Sequence, residues 1–170
     1  MSVGNLPLDA DRLWDDVMAL SAITEPDRPF TRRSFTPRFL EGRAFLAARF
    51  TDAGLAVRID EAGNLIGRRE GSDPDAGTIM LGSHSDTVPS GGRFDGIAGV
   101  IAALEISRAL RDSGAQLRHT LEVVDFLAEE PSDFGLSCVG SRGMVGHLGP
   151  GHLGMVGPAG EKLAEALQRV

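Results

Sequence analysis

Cysteine is almost absent. The 170-residue chain has one, Cys138, so no internal disulfide can form. That excludes the disulfide-stapled class and fits a reducing, cytoplasmic setting. Long apolar runs are absent too. The longest, "IAGVIAALEI" (Ile97 to Ile106), falls well short of the roughly 20 residues that cross a bilayer, so no membrane partner is expected. The N-terminus "MSVGNLPLDADRLW" lacks a basic start followed by an apolar stretch, so no secretory leader is expected. There is no surplus of positive charge: 17 Lys and Arg stand against 24 Asp and Glu, a net −7. A phosphate-tracking surface needs the opposite balance, so no nucleic-acid partner is expected. The small cluster Arg28, Arg32, Arg33 and Arg38 has acids close by and reads as a solvated face.

What is present suits one folded domain: 42% hydrophobic and 24% charged residues over a length that can bury a core. "LDADRLWDDVMALSAIT" has helical spacing at Leu13, Trp14, Val17, Met18 and Leu20, with Asp9 or Asp11 available as N-cap. "PRFLEGRAFLAARFTDAG" reads as a second helix, with Pro37 in its first turn and Gly54 past its end. "LAVRID" and "LIGRRE" read as a hairpin across the turn "EAGN". "TIMLGSH" reads as a short buried strand, "GIAGVIAALEISRALRDSG" as a buried helix, and "RHTLEVVDFLAEE" as a strand ending in two acids. The order strand, loop, helix, strand predicts a parallel crossover and an α/β fold. From Gly143 the character changes: a glycine-rich segment is followed by the short helix "EKLAEALQRV". The expected division is an α/β domain over 1–142 and a connecting segment over 143–170.

Two loops follow predicted parallel strands. One carries His84, Asp86 and Asp95, the other Glu129 and Glu130. Open α/β sheets bind ligands beyond the carboxyl ends of their strands, so these loops are expected to converge. Imidazole and carboxylates are donors for zinc, or for manganese where oxygens dominate. Asp95 has two oxygens and could bridge two metals about 3.5–4 Å apart. Asp86, two residues after His84, could accept the second imidazole N–H and fix the ring. Of the two glutamates, one could bind metal while the other moves a proton. Each element also has a plainer use: His-x-Asp often closes a loop, and adjacent glutamates are commonly solvated.

The motifs together are more specific. "GSHSDTVPSGGRFDGIAGV", "EEPSDFGLSCVGSRGMVG", "PFTRRSFT" and "DAGLAVRIDEAGNLIGRREG" resemble the N-terminal part of the hydantoinase/carbamoylase amidohydrolases, a branch of the M20 metallopeptidase group. The resemblance covers nearly the whole chain. It implies an α/β metallopeptidase-type domain with a mainly parallel sheet. It also implies two divalent metals, Zn²⁺ or Mn²⁺, with Co²⁺ or Ni²⁺ as alternatives. By resemblance His84 holds one metal, Asp95 bridges, Glu130 holds the second, Glu129 is the general base and Asp86 orients His84. The implied activity is hydrolysis of a linear C–N bond in a small N-carbamoyl or ureido acid, by a homodimer. A peptidase or N-acyl-amino-acid hydrolase with the same metal core is the rival activity.

Two departures stand out. Pro131 and Asp133 follow the acid pair where many members have glycine and a basic residue, which bears on the substrate. Family chains also run well over twice this length and carry two further metal-binding histidines and a lid domain. His147 and His152, in the glycine-rich segment, read as surface histidines rather than replacements, and so does His119. Cys138 reads as a small buried hydrophobe. The chain by itself is therefore expected not to be a competent hydrolase, and a non-catalytic remnant or half of a split gene is the reading from another class.

Overall fold

In the computed structural model, which describes residues 6–170, helices flank one open, mixed four-stranded sheet. Helix α1 (Ala10–Ala22) starts where Asp9 caps it by accepting the Arg12 amide. Helix α2 (Pro37–Asp52) has Thr36 as its cap and Pro37 in its first turn, where the missing N–H leaves nothing unpaired. Gly54, at φ +80°, turns the chain into β1 (Ala56–Ile59), which pairs antiparallel with β2 (Leu65–Arg69). Strand β3 (Thr78–His84), helix α3 (Ile97–Asp112) and β4 (Thr120–Phe126) form the expected crossover, with β3 and β4 parallel. The chain continues through short helices α4 (Val139–Met144), α5 (Pro150–Leu153) and α6 (Leu163–Leu167).

The strand order is β1-β2-β4-β3, and this corrects two expectations. First, the hairpin docks β2 antiparallel against β4, so one of the three pairings among the described residues is parallel and the sheet is not mainly parallel. Second, β3 lies at an edge. Its residues Ile79 and Met80 are 41% and 40% exposed, so "TIMLGSH" is not a buried strand. An apolar run alone does not say on which side a neighbour will stand.

The core has two parts. One joins Val17 and Leu20 of α1, Leu46 and Phe50 of α2, Ile101 and Leu104 of α3, and Val123 of β4. The other gathers Phe39, Leu127, Phe134, Val139, Leu163 and Ala166. Leu163 and Ala166 of α6 are fully buried in it, and α4 runs across the 142/143 division.

Polar latches fix the loops that matter. Asn64, fully buried in the β1–β2 turn, accepts the Leu127 amide at 3.0 Å and donates to the Gly140 carbonyl at 3.1 Å. A Cβ at Gly140 would lie 1.9 Å from the Asn64 side-chain oxygen, so only glycine allows this approach. Arg32 corrects the solvated-face reading: it is 2% exposed and donates to the carbonyls of Ser85, Leu20 and Ile23. Arg33 pairs with Asp133, and Arg38 with Glu41.

Asn64→Ala strands buried partners and should lower stability by about 1–3 kcal/mol. Phe50→Ala empties a fully buried ring position and should lower it by about 3–5 kcal/mol. Urea denaturation of both variants checks the order; an Asn64→Ala protein as stable as the parent would contradict the latch.

Candidate active site

The parallel register sets Ser83 beside Asp125 and His84 beside Phe126, so the loops after β3 and β4 leave the same sheet edge together. The acid pair does not sit on the strand. β4 stops at Phe126, and Glu129 and Glu130 occupy the turn beyond it. Ala128, just before them, has φ +47°, a conformation that costs a non-glycine residue about 1–3 kcal/mol and that surrounding structure must hold. The start of α4 holds it: the amides of Cys138, Val139 and Gly140 donate to the carbonyls of Glu129, Ala128 and Leu127.

His84 is 8% exposed at the end of β3. Its Nδ1 lies 2.9 Å from the Asp86 main-chain carbonyl, which can only accept, so Nδ1 carries the proton. Nε2 faces Glu129 Oε2 at 3.5 Å. Asp86 is 1% exposed and behaves differently from the sequence expectation. Its carbonyl orients the ring, while its carboxylate Oδ1 stands 3.6 Å from Nδ1. That carboxylate instead accepts the backbone amides of Glu129 and Glu130, each at 3.2 Å. A charged acceptor strengthens such bonds to backbone N–H groups.

Asp95 is exposed. The next residue, Gly96, has φ +67°, and a Cβ there would lie 2.3 Å from the His84 carbonyl oxygen and 2.6 Å from the ring. Glycine is required on both counts. Phe94, the residue before Asp95, packs against Trp14 of α1 with ring centroids 5.8 Å apart and planes tilted by 41°.

His84, Asp86, Glu129 and Glu130 thus meet at one edge, and Asp95 lies next to them through Gly96. The electrostatics agree. Burial pushes the Glu130 carboxyl above its usual range, and the charges of Asp95, Glu129 and Asp86 push it further, with His84 opposing. Burial disfavours charge on His84, but Asp86 and Glu129 outweigh it and raise the imidazole to about 9. Among the described residues no arginine or lysine bonds to the carboxylates of Asp86, Asp95, Glu129 or Glu130. Four acids around one imidazole leave negative charge that a divalent cation would neutralise, so the donor chemistry fits a metal. The side chains are gathered rather than closed in: among the described residues no group of three His, Cys, Asp or Glu is arranged to hold an ion.

His147 is exposed and His152 Nδ1 accepts the Gly149 amide; neither bonds to this cluster. Cys138 is half-buried rather than simply packed. Its Sγ lies 3.7 Å from the Glu129 carbonyl and 3.8 Å from Oε1, and burial followed by the Glu129 charge pushes the thiol up. Two clefts of about 450 and 570 Å³, one beside Arg58 and Met144 and one beside Asp9 and Arg111, lie elsewhere and involve none of these residues. Sequence reasoning missed Asn64, Arg32 and the backbone-binding part of Asp86. Only the third left a signal, the spacing of His84 and Asp86.

An α/β sheet with a histidine and acids gathered at its strand ends matches the catalytic part of a hydrolase. The chain belongs to peptidase family M28, whose sequence model matches residues 64–152, and its relatives are hydantoinase/carbamoylase-type amidohydrolases. It is 40% identical over 163 residues to the N-carbamoyl-L-amino acid amidohydrolase of Geobacillus stearothermophilus, covering 95% of this chain and 40% of that protein. It is 39% identical over 140 residues to the ureidoglycolate hydrolase of Oryza sativa subsp. japonica, covering 82% of this chain and 29% of that one. The crystal structure of a hydantoinase/carbamoylase family amidase from Burkholderia ambifaria superposes with a TM-score of 0.90 at 37% identity, covering 96% of this chain and 41% of the amidase. The chain spans 29–40% of the length of these two curated relatives. Hydrolases of this kind are generally metal-dependent. Among the described residues no helix is long and apolar enough to cross a membrane.

The raised His84 pKa makes stability depend on pH. A group whose pKa rises from 6.5 to about 9 on folding stabilises the metal-free chain fully below about 6.5 and loses that contribution as pH rises through about 9. Asp86→Ala removes the main support of the charged ring, so the His84 titration followed by NMR should move down towards the ordinary value. An unchanged midpoint would contradict the assigned contacts.

Proposed function

We propose that this chain contributes the catalytic-domain part of a metal-dependent hydrolase that cleaves a linear C–N bond in N-carbamoyl amino acids or related ureido acids. The observation that carries the reading is the meeting of His84, Glu129 and Glu130 at one sheet edge, tied by the Asp86 carboxylate. His84, Asp95 and Glu130 would hold the metal, with Asp95 as the bridging carboxylate if two ions bind. Zinc or manganese suits the mixed nitrogen and oxygen set. A bound divalent ion supplies Lewis acidity to the substrate carbonyl and acidity to water.

This chain's residues divide the remaining work. Glu129, 43% exposed at its side chain, is placed to take a proton from attacking water and return it to the leaving amine. The Asp86 carbonyl keeps the His84 proton on Nδ1 and leaves Nε2 as the donor atom. Binding there must displace the proton that the metal-free ring holds up to about pH 9, so metal uptake should release protons and strengthen with pH. The Asp86 carboxylate fixes the turn on which base and ligand sit. The small ureido substrate, an M20-type metal core and a homodimeric assembly belong to the same proposal. So does a cytoplasmic setting, which suits the single free thiol.

The roles are tested in a hybrid in which residues 1–170 replace the matching stretch of the Geobacillus enzyme. Glu129→Gln should keep metal and lower turnover of N-carbamoyl amino acids by about 10²–10⁴. Glu130→Ala should lose metal. Metal analysis beside ammonia release decides it: the reverse pattern swaps the two roles, and a hybrid without metal or turnover removes the reading.

A further inference from the structure

Asp125 has no part in the chemistry above, yet it is a fully buried carboxyl on β4, four residues before Glu129. Its Oδ2 accepts the hydroxyl of Ser85 at 3.0 Å and lies 3.3 Å from Arg43 Nε. Among the described residues its Oδ1 has no partner, and Arg43 Nε makes no well-aligned bond. Removing charged groups from water is costly, and such pairs often contribute less than an apolar replacement would. The neighbours Val123, Val124 and Leu127 are apolar and fully buried, so Ser85 and Arg43 stand in for water at this carboxylate. The pair with Arg43 does not by itself explain what the carboxyl does beside the site; its second partner, Ser85, bears on that.

Ser85 is fully buried between His84 and Asp86. Its carbonyl accepts from Arg32 Nε at 2.8 Å, and its hydroxyl donates to Asp125. Asp125 faces Ser83 in the parallel register, so this bond crosses from β4 to the first residue after β3. It lies one step below the Asp86 carboxylate that accepts the Glu129 and Glu130 amides. Two side-chain bonds in succession therefore tie the same two loops: Ser85 to Asp125, then the Glu129–Glu130 turn to Asp86.

We propose that Ser85 and Asp125 are positioning residues: their hydrogen bond holds the end of β3 where His84 and Asp86 meet the Glu129–Glu130 turn, and so sets metal affinity without touching the metal. The affinity half rests on the metal reading above; the positioning half does not.

The experiment uses the full chain. Zinc affinity is measured by competition with a chromophoric chelator, and amide hydrogen exchange is followed without metal. Ser85→Ala deletes one hydroxyl and should weaken zinc binding about 10–100-fold, as loss of a group behind a metal ligand typically does. Exchange should quicken at the Glu129 and Glu130 amides while amides of α3 and β4 keep their protection. Ser107→Ala is the control. It deletes a fully buried hydroxyl on α3 that has no partner among the described residues, and should change neither readout. Asp125→Asn should act in the same direction, and the double variant should be less than additive; if Asp125→Asn does not fold, Ser85→Ala decides. Parental zinc affinity and parental exchange in Ser85→Ala would overturn the proposal, as would a uniform loss of protection across the core. If the parent chain binds no zinc, the affinity half fails, and the exchange data still judge the positioning.

Discussion

The Asp86 carboxylate is the joint of this structure. It is buried, leaves one loop, and accepts two backbone amides from the other. The parallel pairing of β3 and β4 brings the loops to one edge, but pairing fixes the strands and not the loops beyond them. Asp86 converts that neighbourhood into a fixed separation between His84 and the acid turn. Asn64 behind the turn, the α4 amides beneath it and Arg32 behind the His84 loop all brace the same joint. The strained φ of Ala128 and the glycine required at 96 are where the backbone yields to allow it.

Charge gives the joint a use. Four carboxylates share an edge with one imidazole and, among the described residues, with no arginine or lysine bonded to them. Asp86 and Glu129 raise the His84 imidazole, while burial first and the neighbouring carboxylates second raise Glu130. A proton on His84 relieves part of the imbalance, and a divalent cation would relieve more.

Local signals in the sequence were sufficient where a local cause decides the structure. Asp9 capping α1, Pro37 opening α2, the hairpin around "EAGN" and the apolar length of α3 are visible in the residues because short-range sterics and periodicity determine them. The five candidate residues were legible as a group from their positions after predicted strands. The hidden features depend on distant neighbours. Arg32 reads as a surface base until the carbonyls of Ser85, Leu20 and Ile23 surround it. Strand β3 reads as buried because its run is apolar, but the strand order leaves it at an edge. Asn64 reads as a turn residue, although its amide serves a strand end more than sixty positions away. The acid pair reads as a strand end, yet the left-handed Ala128 lifts it onto a turn, and no residue type announces that.

The central claim is that His84, Asp95 and Glu130 draw around a divalent cation. The most direct measurement is anomalous diffraction at the zinc or manganese edge from crystals of the chain grown or soaked with the metal. The account predicts a peak at His84 Nε2, shared with carboxylate oxygens of Asp95 or Glu130, while Asp86 still holds the Glu129 and Glu130 amides. A peak at His147 or His152 with none at His84, or no metal at this sheet edge under saturating conditions, would contradict it.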